Sequence, residues 1–474
     1  MLLRSTRQGA QSMMISSSAV NKVMWMGRAR TLAFCIPALL VAVCIGVLLI
    51  TAEPAHAATT FTVNQTGNLG DALRNGECDV LLPTAGHQCT LRAAIQEANA
   101  TTGKDTITFN IPGSGVQTIK PTSALPKIRD AVIIDGYSQP GASENTLKKG
   151  TNADLKIQLN GEGRPFPGLW FLTSNSVVKG LVINRFDHIG IEIGGNDDPE
   201  GNRIIGNFIG TDPTGTLDRG NLGRGVTIFG EGTSGNTVGG SRPAGRNLIS
   251  GNDGGGVGIL SEATDNVVRG NLIGTKKDGV GALGNLGSGV MISGAFENTV
   301  GGTLPGDANT IAFNEGDGVS IRTLGNFAES TGNSILRNSI FNNIDLFPDG
   351  LGIDLGDDGP TPNDPDDPDT GPNNLQNRPN LTSAVTASGS TTIEATLNST
   401  PGETFKVRYF SNPPGSSEGK KYIGQKNVNT SANGNTGTFS FSPAQKVPDG
   451  RNITSTATDV DGNTSEFSAP EEVV

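Results

Sequence analysis

Through the middle of the chain, apolar side chains come in bursts of three to five residues, each closed by Gly or Asn. Between Asn175 and Asn338 one phrase keeps returning: Asn, any residue, then Val or Ile. It reads Asn175-Ser-Val, Asn202-Arg-Ile, Asn236-Thr-Val, Asn247-Leu-Ile, Asn266-Val-Val, Asn298-Thr-Val, Asn309-Thr-Ile and Asn333-Ser-Ile. A longer period lies over it. Gly206-Asn-Phe-Ile-Gly-Thr211 returns as Gly270-Asn-Leu-Ile-Gly-Thr275, 64 residues on, and Asn236-Thr-Val-Gly-Gly240 as Asn298-Thr-Val-Gly-Gly302, 62 residues on. Between them Gly225-Val-Thr-Ile matches Gly289-Val-Met-Ile. The spacing of three and four that marks an amphipathic helix is missing here. Self-similarity at a fixed period marks a solenoid. Short strands joined by tight turns make it a parallel β-helix, with coils stacked about 4.8 Å apart and Val or Ile pointing inward. The pattern predicts parallel strands from about 105 to 345, with Val238, Ile249, Val268, Val300 and Ile311 buried. An asparagine recurring at one corner suits an amide ladder from coil to coil. Hydrogen bonding to carbohydrate is the other role open to these residues.

A solenoid exposes unpaired edges at its ends, and they must be covered. Leu91 to Ala100 is the one convincing helix, with Leu91, Ala94, Ile95 and Ala98 on a single face, so residues 58–135 are read as an N-terminal cap and first coils, and 136–345 as the repeats. Residues 346–380 form an Asp- and Pro-rich linker. From Leu381, period-two alternation returns: Ile393, Ala395 and Leu397 against Thr392, Glu394 and Thr396, then Phe405, Val407 and Tyr409 against Lys406 and Arg408, then Phe439 and Phe441. About seven short strands divided by Pro-Gly, Asn-Gly and Asp-Gly turns predict an immunoglobulin-like β-sandwich over 381–474. The fold class is all-β.

The first 57 residues read as an export signal. Arg28 and Arg30 precede an apolar run, Leu32 to Ile50, and Ala55-His56-Ala57 supplies a small-residue cleavage site. An uncleaved membrane anchor is the alternative. Five of the six methionines lie in this segment, so Met24 or Met26 is a candidate true start. The C-terminal Ala469-Pro-Glu-Glu-Val-Val474 has the pattern of neither an anchor nor a barrel strand, which favours free secretion, or residence at the cell surface, as a monomer.

Export changes the charge and the cysteines. Removing residues 1–57 takes five of 35 basic and one of 46 acidic side chains, leaving 30 and 45, a net charge of −15. A surface that acidic excludes nucleic acid and anionic lipid as expected partners. Cys78 and Cys89 remain as an even pair in an oxidising compartment, which predicts a disulfide; a metal pair with His87 is the weaker reading. Gly, at 67 of 474 residues, fits a chain that turns often, and aromatic residues at 5% leave no thick core.

Cys89-Thr-Leu-Arg-Ala-Ala-Ile95, followed by Gln-Glu-Ala-Asn99, resembles the CSLREA-type motif of bacterial extracellular proteins. Gly352-Ile-Asp-Leu-Gly-Asp-Asp358 through Asn374-Leu-Gln-Asn377 resembles the end of the solenoid in the same family. The resemblance covers essentially the whole mature chain and departs at Thr90, for Ser, and at Ala93, where an acid is usual. It implies a right-handed parallel β-helix, opened by the capping helix, and an extracellular location. It implies no activity, because the family has no agreed one.

Two clusters carry candidate chemistry. Asp364-Pro-Asp-Asp-Pro-Asp-Thr-Gly371 places Asp364, Asp366, Asp367 and Asp369 close together and ends in Gly, as oxygen ligands wrap Ca²⁺, although it is no EF-hand; a stiff solvated linker is the alternative. Asp459-Val-Asp-Gly-Asn463 reads as a hairpin turn. Arg185, Asp187 and His188, with Asp197 and Asp198 one turn later, are the best catalytic candidates, against the plainer reading of polar turns between coils. No pectate-lyase or polygalacturonase motif and no nucleophile-elbow serine accompanies them. The expected function is a secreted structural or adhesive protein that binds polysaccharide or cell-surface material. A polysaccharide lyase or glycoside hydrolase is the alternative.

Overall fold

The computed structural model describes residues 58–81, 86–325, 330–344 and 350–474; residues 1–57, on which the export-signal reading falls, lie outside them. Among the described residues, three parallel sheets of nine, eight and seven strands run the length of the body. The first extends from Thr60–Val63 to Ser334–Leu336, the second from Gln117–Ile119 to Ser339–Phe341, and the third from Leu169–Phe171 to Ile353–Leu355. Each coil visits the three in turn, which is a parallel β-helix, right-handed as parallel crossovers are. The solenoid runs to Leu355, ten residues past the boundary at 345, so the segment from 346 holds its last strand. Among the described residues, no helix is long and apolar enough to cross a membrane.

The interior follows from the register. Val178 pairs with Ile204, Ile204 with Val238, Val238 with Val268, Val268 with Val300 and Val300 with Ile335, so one inward position repeats down the first sheet. Ile209, Ile249, Ile273, Ile311 and Ile340 do the same in the second. The five positions expected to be buried are all 0% exposed. Burying each such side chain stabilises the stack by about 1.5–3 kcal/mol. β-Branched side chains suit the column because their one preferred rotamer repeats without gaps.

Among the described residues, three asparagine ladders hold the corners, where a single one was expected. Asn202, Asn236, Asn266, Asn298, Asn333 and Asn373 form the first. Asn207, Asn247, Asn271, Asn309 and Asn338 form the second. Asn221, Asn252, Asn285, Asn314 and Asn343 form the third. In each ladder the Nδ2 of most members donates to the Oδ1 of the next coil's asparagine, and backbone N–H groups fill the other lone pair. Asn247 and Asn309 thus belong to a different corner from Asn202 and Asn236. Asn175 belongs to none: it turns in a left-handed conformation (φ 61°), and the backbone N–H of Ser176 donates to Asn202 instead. At Gly239 and Gly301 the chain also needs positive φ (94° at both), and a Cβ there would overlap the carbonyl of Arg269 or Leu336 in the next coil.

The helix Leu91–Ala98 covers the first coil. Thr90 is its N-cap, accepting from the Ala93 backbone N–H at 3.1 Å, and Leu91, Ala94, Ile95 and Ala98 are buried against the solenoid core. Cys78 and Cys89 are disulfide-bonded with Cα atoms 5.2 Å apart, which displaces the metal-pair reading.

The C-terminal residues form a three-stranded and a four-stranded antiparallel sheet around a second apolar core that includes Ile393, Phe405, Val407, Tyr409 and Ile453. This sandwich covers the solenoid's other end. Gly419 bridges Ile340, Gly332 N–H donates to Asn463, Ile335 N–H donates to Thr464, and Phe467 packs on the solenoid core. Arg408, which alternation turns outward to water, is 3% exposed and donates to Thr458, because Tyr422 and Arg337 of the last coil lie beside it.

Candidate functional site

Two turns separate the sequence candidates. Arg185, exposed, lies near the end of the second-sheet strand Leu181–Phe186, and Asp187 and His188, also exposed, follow that strand, whereas Asp197 and Asp198 follow the third-sheet strand Ile191–Gly194. Asp197 pairs with Arg129 at 3.3 Å. The expected five-residue cluster is therefore not assembled, because a strand that crosses one face of the solenoid lies between its halves.

Arg185 and Asp187 instead meet residues that sequence reading had passed over. Successive coils place Glu162, Gly163, Arg185, Asp187, Asp218, Arg219 and Gly220 around one groove of about 380 Å³ on the solenoid's flank. Register explains the convergence: Asn160 pairs with Asn184 and Arg164 with Phe186, so the turns after these strands stack. The Arg185 backbone N–H donates to the carbonyls of Arg219 and Gly220, at 3.2 and 3.1 Å, and ties the third turn to the second. Asp218 accepts from Gly220 N–H at 2.8 Å, and Glu162 pairs with Lys120 at 2.6 Å. Hydrogen bonding to Lys120 holds the exposed Glu162 carboxyl below its ordinary range, and burial, then Asp218, raises that of nearby Asp253. Both Glu162 and Arg185 adopt positive φ, 50° and 57°, an unusual conformation for side chains of that size. The missed signal was the coil period: a charged residue one coil from another at the same corner is a neighbour, however far apart in sequence.

The acidic segment folds back on the sandwich. Asp364, Asp367 and Asp369 each bring a carboxylate oxygen within 4.8 Å of the others. Asp364 Oδ1 and Asp369 Oδ1 are shielded from water and, among the described residues, have no hydrogen-bond partner. Asp367 accepts from Gln376 Nε2 at 2.7 Å, from Asn377 N–H and from Ser399 Oγ. Burial pushes its carboxyl up to about 6 against those bonds, and the Asp369 and Asp364 carboxylates push the same way. Asp366 is not in the group. It and Asp367 both take left-handed φ, 66° and 56°, which reverses the chain and leaves Asp366 exposed, its N–H on Asn398 Oδ1. Three converging carboxylates with two orphaned oxygens are chemically suited to a hard cation.

No protein-family model matches the chain, and no curated protein matches it. Among solved structures it is similar to the enzymatically active domain of tailspike protein 2 of bacteriophage CBA120, with a TM-score of 0.23 and 11% identity over 88% of this chain and 66% of that one. The parallel registers of this chain, not that likeness, define its fold.

Proposed function

We propose that the protein is an exported structural or adhesive β-helix that binds glycan on its flank and carries calcium where solenoid and sandwich meet. The groove beside Arg185 supports this reading most. Every lining residue with a side chain is charged, so guanidinium donors and carboxylate acceptors face one open hollow, an environment that matches many hydroxyls and strands an apolar ligand. The signal-like segment, the CSLREA resemblance and the immunoglobulin-like reading of the sandwich all belong to this extracellular picture. Calcium at Asp364, Asp367 and Asp369 would neutralise three crowded carboxylates and lock the segment that joins the two cores. The test is a polysaccharide panel against the immobilised protein. An R185Q/D187N double variant should weaken glycan binding at least five-fold with an unchanged melting temperature. Failure of the wild-type protein to bind any member would end the reading.

A second reading, a polysaccharide lyase or hydrolase, draws on the three carboxylates, Glu162, Asp187 and Asp218, that share the groove. It predicts release of reducing ends or of an unsaturated, ultraviolet-absorbing product from a bound glycan. Binding without either product favours adhesion.

A further inference from the structure

The outer face of the third sheet carries polar groups that the solenoid itself leaves unused. Register stacks Glu192, Thr227, Gly258 and Met291 outward, one per coil. At about 4.8 Å per coil, Glu192 to Met291 spans roughly 14 Å. Glu192 is 8% and Thr227 3% exposed, yet among the described residues Glu192 Oε2 and Thr227 Oγ1 find no hydrogen-bond partner. Such groups cost stability unless something else satisfies them.

The next step along the strip is cationic. Gly258, having no side chain, leaves room for Arg224, whose Cδ a Cβ there would meet at 2.7 Å. The Nη2 atoms of Arg224 and Arg322 both point at Met291 Sδ, at 3.0 and 2.8 Å. Arg322 also holds Asp357. Among the described residues Arg224 pairs with no carboxylate: its Nη2 faces Met291, and its Nε is shielded from water without an acceptor. Burial and then Arg322 lower its affinity for a proton, as expected of two like charges converging without an anion between them. A guanidinium without a carboxylate partner is suited to take an oxyanion on its terminal N–H groups.

We infer that this strip is a binding site for an acidic saccharide, its carboxylate or sulfate gripped by Arg224 and Arg322 over Met291. The inference rests on the reading of the protein as a glycan binder, but it places the acidic ligand on a sheet face rather than in the groove beside Arg185. With a net charge of −15 on the mature chain, long-range attraction does not supply the affinity, so it comes from these local donors.

Titration calorimetry of the mature protein with oligogalacturonate, dextran sulfate and neutral dextran tests it. One or both acidic ligands should bind through Arg224, any binding of neutral dextran should be indifferent to R224Q, and which acid binds tells carboxylate from sulfate. R224Q should weaken binding at least ten-fold, R224K, which keeps the charge but loses the planar fork, several-fold, and R185Q/D187N not at all. Arg224 supports no other residue through a strong bond, so both variants should keep the wild-type melting temperature; R224K stands alone if R224Q does not fold. Neutral dextran binding that falls with R224Q as the acids' does, no acidic ligand binding, or acid binding indifferent to R224Q and R224K would each overturn the inference. The last of these leaves glycan binding itself standing.

Discussion

Asn343, the last rung of the third ladder, donates its Nδ2 to Glu418 Oε1 of the sandwich at 3.1 Å. Its backbone N–H reaches the same carboxylate oxygen at 3.2 Å, and Asn342 N–H reaches the other. Glu418 therefore occupies the place where one more coil would set an asparagine carbonyl. The first ladder ends in the same manner: Asn373 takes the Asn333 N–H at 3.0 Å and passes its own amide to Thr464 of the sandwich. The sandwich thus terminates the solenoid by continuing its hydrogen bonds, and satisfies an edge that would otherwise recruit another chain.

Replacing Glu418 tests that role. E418A leaves several buried donors unpaired and should cost about 2–4 kcal/mol in denaturant unfolding, whereas E418Q keeps an acceptor and should cost under about 1 kcal/mol. Equal losses for both would show that the cap works by packing alone.

In the middle of the first ladder, Asn266 accepts from Asn236 Nδ2 at 3.0 Å and donates to Asn298 at 3.1 Å. N266L removes both bonds inside a fully buried corner and should destabilise by roughly 2–4 kcal/mol. A surface asparagine such as Asn433, changed the same way, should move stability by under about 0.5 kcal/mol.

The pH dependence has a defined sign. Burial pushes Asp367 to about 6 and Glu97 and Glu466 each to about 7. A carboxyl whose pKa is raised on folding binds more protons folded than unfolded, so its stability is full below about pH 4 and declines as pH rises toward the folded value. Without calcium, the protein should melt higher near pH 5 than near pH 7.5. Calcium at a hundred times its dissociation constant should add about 2.7 kcal/mol at neutral pH. D367N should abolish the calcium effect, while D366N, outside the cluster, should keep it. A melting temperature indifferent to chelator would leave the segment a plain solvated linker.

Opening the disulfide should loosen the N-terminal cap. Cys78 and Cys89 are 11 residues apart, a loop whose closure is worth about 3 kcal/mol on chain entropy. Thiol titration of the non-reduced protein should give no signal, and C78S/C89S should unfold at lower denaturant.

The body of this fold was legible because a solenoid repeats its physics: each coil must offer the same inward Val or Ile, so Val238, Val268 and Val300 announce one another. The ladders were only half legible. Asn221, Asn252, Asn285 and Asn314 precede a turn rather than a strand, and a phrase requiring Val or Ile misses them. Asp364, Asp367 and Asp369 lie close in sequence and converge, but which carboxylate turns away depends on backbone handedness at Asp366, which composition does not encode. The groove was illegible beyond Arg185 and Asp187, because Glu162 and Asp218 reach it only through coil stacking. The strip at Glu192 was hidden for the same reason, and Glu418 because a cap contributes a single residue from a distant domain.

The central claim is that the solenoid flank binds glycan. The direct measurement is equilibrium binding of the wild-type protein and R185Q/D187N to one glycan panel, in parallel, at matched melting temperature. Saturable wild-type binding to at least one polysaccharide, weakened five-fold or more in the double variant for a neutral glycan, is the predicted result. Absence of binding across the panel, or binding untouched by both the groove variant and R224Q, would contradict it.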